Sequence, residues 1–188
     1  KNIQKSLVKL CVSKFDSLLI HNPKDLLGKE SNLLIKWMQS LKERSIVDRI
    51  GISIYDIEIL NKLPFEFLDI IQIPLSIYDQ RFLKSGSINQ LKSKGISIQV
   101  RSVFLQGLIL QNVTKWPDFI SDSFKSHHNE VVRKLHLNKF NMLEAALCFI
   151  YSCPDIESFL VGVTSIKEFK EILKTLKICK KRYKEFDD

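Results

Sequence analysis

The 188-residue sequence has no apolar run approaching the roughly 18 to 20 residues needed to cross a bilayer. Its opening stretch, Lys1 to Lys9, is too charged for a secretory signal peptide. A soluble, cytoplasmic protein without a membrane partner is therefore expected. Cysteine is scarce. Cys11, Cys148, Cys153 and Cys179 contain no Cys-x-x-Cys pair and fall far short of the density of a secreted disulfide scaffold. Reduced thiols in core or helix positions are the expectation. Histidine is as sparse: His127-His128 is the only adjacent pair, and neighbours on a helix or strand diverge rather than converge on one ion. With no Cys or acid at ligand spacing, no metal site is expected. The chain also lacks low-complexity linkers and any repeat beyond a β/α alternation, so residues 1–188 are read as a single domain.

With 45% hydrophobic residues, the chain has enough apolar material for a substantial core. The net charge of +8 comes mostly from lysine spread along the sequence. Its one organised part is Lys167, Lys170, Lys174, Lys177, Lys181 and Lys184, whose spacings of three and four draw a single stripe down a helix. Phe169, Leu173, Leu176 and Tyr183 fall on the opposite face. The stripe reads as the solvated side of a terminal helix, and no nucleic-acid partner is expected.

Short β-branched runs alternate with longer stretches of helical period, the pattern of βα units around a parallel sheet. Strands are predicted over 16–21, ended by Asn22-Pro23, and over 49–54, 68–74, 96–104 and 158–163. Helices are predicted over Asn2–Leu10, over 31–42 with Ser31 as cap, after a capping Asp56, ending near Lys94-Gly95, over 141–151, and from just beyond 163. The 31–42 helix should bury Leu34, Trp37, Met38 and Leu41. Residues 106–122 read as irregular, and Trp116, Phe119 and Phe124 in or near that stretch either line a pocket or fill the core. Five strands cannot close an eight-stranded barrel, which usually needs roughly 250 residues.

In α/β barrels the chemistry sits at the C-terminal ends of the strands. That rule selects His21, Ser53, Gln72, Arg101-Ser102 and Gly162, all polar or backbone-exposing residues near the ends of apolar runs. A polar side chain left unsatisfied there would cost about 1 to 3 kcal/mol, so each must be paired or functional.

The segments 18–23 (LLIHNP), 50–53 (IGIS), 69–74 (DIIQIP), 100–108 (VRSVFLQGL) and 160–165 (LVGVTS) occur in an order and spacing that resembles the aldo-keto reductases. The likeness runs from Ser6-Leu7 to about Leu173. It implies a (β/α)8 TIM barrel, of which this chain holds about five βα units. It also implies an NAD(P)H-dependent oxidoreductase that reduces a small-molecule carbonyl to an alcohol. In that family a tyrosine, acidified by a lysine that an aspartate pairs with, protonates the carbonyl oxygen, while a histidine positions it. His21 matches the histidine. Ser53 and Gln72 match positions that hydrogen-bond the nicotinamide carboxamide, and the likeness assigns Arg101, Ser102, Phe104, Gly107, Gly162 and Ser165 to the same cofactor.

The departures are specific. Arg101 stands where many relatives stack a tyrosine on the nicotinamide. Gly162 and Glu168 stand where relatives grip the adenosine 2′-phosphate with basic residues. The cofactor is thus NADP or NAD; the family inclines to NADPH and the residues do not. The aspartate, tyrosine and lysine have no match in these 188 residues. A piece of a longer protein is expected, inactive alone and prone to self-association through exposed strand edges. The alternative is a non-catalytic relative that binds nucleotide and a protein partner.

Overall fold

The computed structural model describes residues 2–186. The chain forms two compact units, one of Lys1–Pro74 and Arg81–Gln99, the other of Leu75–Gln80 and Val100–Asp188. The first contains α1 (Asn2–Leu10), β1 (Phe15–Ile20), α2 (Ser31–Glu43), β2 (Val47–Ser53), α3 (Ile57–Leu60), β3 (Ile70–Pro74), α4 (Arg81–Lys84), α5 (Ser87–Ser93) and the start of β4 (Ser97–Arg101). The second contains the end of β4, α6 (Asp122–Leu137), α7 (Met142–Ser152), β5 (Ser158–Phe159) and α8 (Ile166–Arg182). The fold is α/β with a parallel five-stranded sheet of order β1-β2-β3-β4-β5, as expected for part of a TIM barrel.

The first unit is built on a division of labour between the two faces of its strands. Successive side chains point to opposite sides, so Ile50, Ile52, Ile71, Ile73 and Ile98 lie on one face and are buried to 1% or less. Burying each isoleucine contributes about 1.5 to 3 kcal/mol, and α2 covers β2 with the buried Met38 and Leu41. The other face carries Gly51, Ser53, Gln72 and Gln99. Register is set by two devices. Asp69 donates its backbone N–H to the Ile50 carbonyl at 2.9 Å, while its carboxylate accepts the Ile50 N–H at 2.9 Å and the Lys42 ammonium at 2.5 and 2.7 Å. Gly51 is paired with Ile70, and any Cβ on it would run into the Ile70 carbonyl oxygen and lie 2.8 Å from Ile70 Cγ2.

In the second unit, β4 accepts hydrogen bonds from both sides. Leu75 N–H donates to Arg101 O at 3.1 Å and Leu160 N–H to Val100 O at 2.7 Å. α7 presents Ala145, Ala146, Leu147, Cys148 and Ile150 as a buried face and packs on α8. Asn141 and Glu144 form a reciprocal capping box at its start, which satisfies two otherwise orphaned N–H groups.

Several expected boundaries shift, each for a local reason. β3 begins at Ile70 because Asp69 spends its carboxylate on the Ile50 N–H. β4 stops at Arg101 because Ser102 turns into the left-handed region at φ 64°. β5 is two residues long, so Gly162 lies in a loop rather than a strand. α2 starts at Ser31, but Glu30 is its N-cap and no side chain caps it. On that helix Trp37 is 47% exposed and Leu34 half-buried. α8 carries the lysine stripe from Lys167 to Lys181 on its exposed side as expected, and Lys184 falls in the 3-10 turn that follows it. Its buried side is Ile172, Thr175 and Cys179, whereas Phe169 and Leu173 are exposed. The whole of α6 was not anticipated.

α6 is held by a buried polar contact inside an aromatic cluster. His128, 3% exposed, places Nδ1 2.8 Å from the Tyr78 hydroxyl, with Trp116, Phe124 and His127 around the pair. Burial pushes the Tyr78 phenol up to about 12, so it stays protonated. Burial, helped by the adjacent His127, lowers the His128 pKa from 6.5, keeping the ring neutral and able to accept a hydrogen bond from the phenol. Of the three aromatic residues left open between pocket and core, Trp116 is buried and packs on Phe124, while Phe119 is 85% exposed.

Two outcomes follow for folding. Gly51→Ala should destabilise the first unit by about 3 kcal/mol or more, read as loss of cooperative unfolding in urea; a near-normal midpoint would contradict the close approach. His128 works on pH. Its folded pKa lies below that of the unfolded chain, so its contribution is complete above about pH 6.5 and is lost as the pH falls toward the folded value. Between about pH 7.5 and about pH 5.5 the thermal midpoint should drop more steeply in the wild type than in His128→Gln. Parallel slopes would show that the ring is not held neutral.

Candidate functional site

The strand-end residues of the first unit assemble as one row. Asn22 caps a 3-10 turn over Pro23–Leu26 by accepting the Lys24 N–H at 3.3 Å, and Pro23 is its first residue. The extended chain therefore ends at Ile20, and His21 is left exposed immediately beyond β1. Ile20 pairs with Ile52, so His21 and Ser53 each stand one residue past the same pair. Ser53 pairs in turn with Gln72.

Ser53, only 2% exposed, donates its hydroxyl to Gln72 Oε1 at 2.8 Å. Gln72 Nε2 donates onward to Gln99 Oε1 at 2.7 Å. This relay uses one of the two amide protons of Gln72 and leaves the second to donate to a ligand. Gln99 was missed in the sequence. The signal was there, since Ile98 and Val100 flank it as the buried alternates of β4, placing Gln99 and Arg101 on the opposite face. Arg101 is half-buried at the strand's end.

The second unit holds a cavity of about 920 Å³. Of the residues assigned to a cofactor from the sequence, Ser102, Phe104, Gly107 and Gly162 line it; Arg101 and Ser165 do not. The loop on its rim is conformationally costly. Ser102, Leu105 and Gln106 have φ of 64°, 46° and 58°, and Gly107 follows at 85°. A non-glycine residue in the left-handed region costs of order 1 kcal/mol, and such strain concentrates at functional sites.

Ser165 is otherwise engaged. It is the N-cap of α8, its hydroxyl accepting the Glu168 N–H at 3.2 Å. The Glu168 carboxylate reaches back to accept the Thr164 N–H at 2.7 Å and the Thr164 hydroxyl at 2.9 and 3.0 Å. Those bonds lower the Glu168 pKa and hold it ionised on the cavity wall. The helix N-terminus is thus already supplied with a negative charge by the chain itself. A separate groove in the first unit, about 750 Å³ and lined by Lys24, Leu33 and Trp37 among others, contains none of the expected residues.

Comparison with known proteins supplies the class. The sequence profile of the Aldo/keto reductase family matches residues 1–188, and the chain belongs to that family. Among solved structures it is similar to the aldo-keto reductase AKR11C1 from Bacillus halodurans in its holo form. The TM-score is 0.75 at 16% identity, over 98% of this chain and 63% of that one. It is also similar to the glycerol dehydrogenase AKR11B4 from Gluconobacter oxydans, with a TM-score of 0.60 at 15% identity, over 93% of this chain and 62% of that one. The chain therefore spans less than two thirds of the length of either structure. No curated protein sequence matches it.

The row makes a direct stability prediction. Ser53→Ala removes a buried donor and should lower stability by about 1 kcal/mol, measured as a shift of the urea midpoint at unchanged slope. An unchanged midpoint would mean that the Ser53–Gln72 bond carries no weight.

Proposed function

We propose that this chain forms the nicotinamide-recognising part of an NAD(P)H-dependent oxidoreductase that reduces a carbonyl to an alcohol. The observation that carries this reading is the row His21, Ser53, Gln72. Two strands in register place a hydroxyl and a primary amide side by side, the amide with one N–H not used in the Ser53–Gln72–Gln99 relay, next to an exposed imidazole. A carboxamide offers one acceptor and two donors, the complement of that pair.

The bound cofactor would supply the hydride. What this chain contributes is orientation: Ser53 and Gln72 would hold the carboxamide, and His21 would hydrogen-bond the carbonyl oxygen as a positioning group. The resemblance brings a tyrosine acid with its lysine and aspartate to this chemistry, and we place those groups outside these 188 residues. In the second unit, the cavity bounded by Ser102, Phe104, Gly107 and Gly162 would take a phosphate-bearing portion of a nucleotide through loop N–H groups. The ionised Glu168 on that wall disfavours a further phosphate, so the dinucleotide without a 2′-phosphate fits these residues better.

Titration with NADH and NADPH, followed by quenching of tryptophan fluorescence, tests the reading. Binding should favour NADH and weaken about tenfold in Gln72→Ala, the equivalent of about 1.4 kcal/mol. Absence of binding to either cofactor would overturn it, and binding indifferent to Gln72 would move the nicotinamide elsewhere. Turnover of a generic aldehyde by the chain alone, abolished in His21→Ala, would refute the placing of the proton donor outside it.

A further inference from the structure

The second unit contains a pair of thiols with no part in the proposed cofactor chemistry. Cys148 on α7 and Cys179 on α8 are both 0% exposed, and their sulfurs lie 3.0 Å apart. A disulfide bond is about 2.05 Å long, so closure asks the two sulfurs to approach by about 1 Å. Cys11 is exposed and its thiol donates to the Val8 carbonyl, while Cys153 is half-buried and donates to the Phe149 carbonyl. We propose that Cys148 and Cys179 are a modification site, forming a reversible intramolecular disulfide with a peroxide and thereby stapling α7 to α8.

The chemistry balances without any group beyond the peroxide. The two thiols are asymmetric. Cys148 donates its S–H to Cys179, which lowers the Cys179 pKa, whereas the donated proton and burial raise that of Cys148. Both sulfurs are buried, so reaction proceeds from local opening of the α7–α8 contact, and Cys179, which accepts the Cys148 S–H while its own S–H faces the Glu144 carbonyl at 3.7 Å, is the sulfur that attacks first. Its sulfur displaces one oxygen of hydrogen peroxide, the O–O bond breaks, and a sulfenic acid and one water result once the protons are counted. Cys148, 3.0 Å away, then attacks that sulfur; the S–O bond breaks, the S–S bond forms, and a second water leaves. Each sulfur gives up one electron, and peroxide takes both.

The staple would lie where it matters to the unit. α7 and α8 both contribute to the cavity wall, through Met142 and Leu143 on one side and Glu168, Glu171 and Ile172 on the other. Closing a loop of some thirty residues restricts the unfolded chain and raises the thermal midpoint.

The experiment uses the purified, fully reduced chain with Cys11→Ser, to suppress cross-linking between copies. Peroxide is added, remaining thiols are alkylated under denaturing conditions, and peptides are mapped by mass spectrometry. A peptide linking Cys148 to Cys179, lighter by two hydrogens and cleaved by dithiothreitol, is the expected result, with a raised thermal midpoint that dithiothreitol restores. In Cys148→Ala, Cys179 should instead be trapped as a sulfenic acid by a 1,3-diketone. Recovery of both cysteines as separately alkylated peptides, at a peroxide dose that oxidises Cys11 in the parent chain, would overturn the proposal. So would a linkage through Cys153. The mapping of the Cys11→Ser chain decides the matter even if Cys148→Ala fails to fold.

Discussion

The close approach of β2 to β3 is the constraint on which the first unit depends. Gly51 lies against the Ile70 carbonyl because it has no side chain, and Asp69 locks the same register from the strand's beginning through four hydrogen bonds to Ile50 and Lys42. In a parallel sheet, a slip by one residue would exchange the two faces of a strand. It would drive Ile52 toward the polar face and bury Ser53 among isoleucines. The register that maximises apolar burial is thus the register that puts Ser53 opposite Gln72 and His21 beside it. Stability and site geometry come from one arrangement.

The second unit follows a different logic, in which local strain and local charge are concentrated around a cavity. Ser102 and Gln106, two non-glycine residues in the left-handed region, line it, and the Glu168 carboxylate is held ionised on its wall by Thr164. Away from the cavity, the unit is secured by contacts that exclude water: the Tyr78–His128 hydrogen bond within aromatic rings, and the thiol pair between α7 and α8. Both are buried polar contacts, and both change with a solution variable, the one with pH and the other with oxidant.

Much of this was legible in the sequence where the apolar pattern is strong. All five strands were predicted, because runs such as Ile50-Gly-Ile-Ser53 bury one face continuously. The alignment of His21, Ser53 and Gln72 was legible as well, since they are polar interruptions at the ends of apolar runs. α6 was not, because across Asp122–Leu137 its fully buried residue is a histidine, and a periodicity search counts histidine as polar. Gln99 escaped because it precedes the strand's end rather than occupying it. The side of α8 that faces inward was misjudged because Phe169 and Leu173 outweigh Thr175 and Cys179 on any hydropathy scale, although the latter pair is buried. The Glu168–Thr164 contact depends on backbone direction at a helix start, which sequence spacing does not fix.

The central claim is that strand register, rather than any single residue, creates a nicotinamide-recognising row. Side-chain amide NMR reads that row directly, because Gln72 and Gln99 carry resolvable NH₂ groups joined by one hydrogen bond. On addition of NADH, the Gln72 amide and the His21 ring signals should shift together, with a smaller displacement relayed to Gln99. Shifts that spare Gln72 and His21 while other side chains respond would contradict the account.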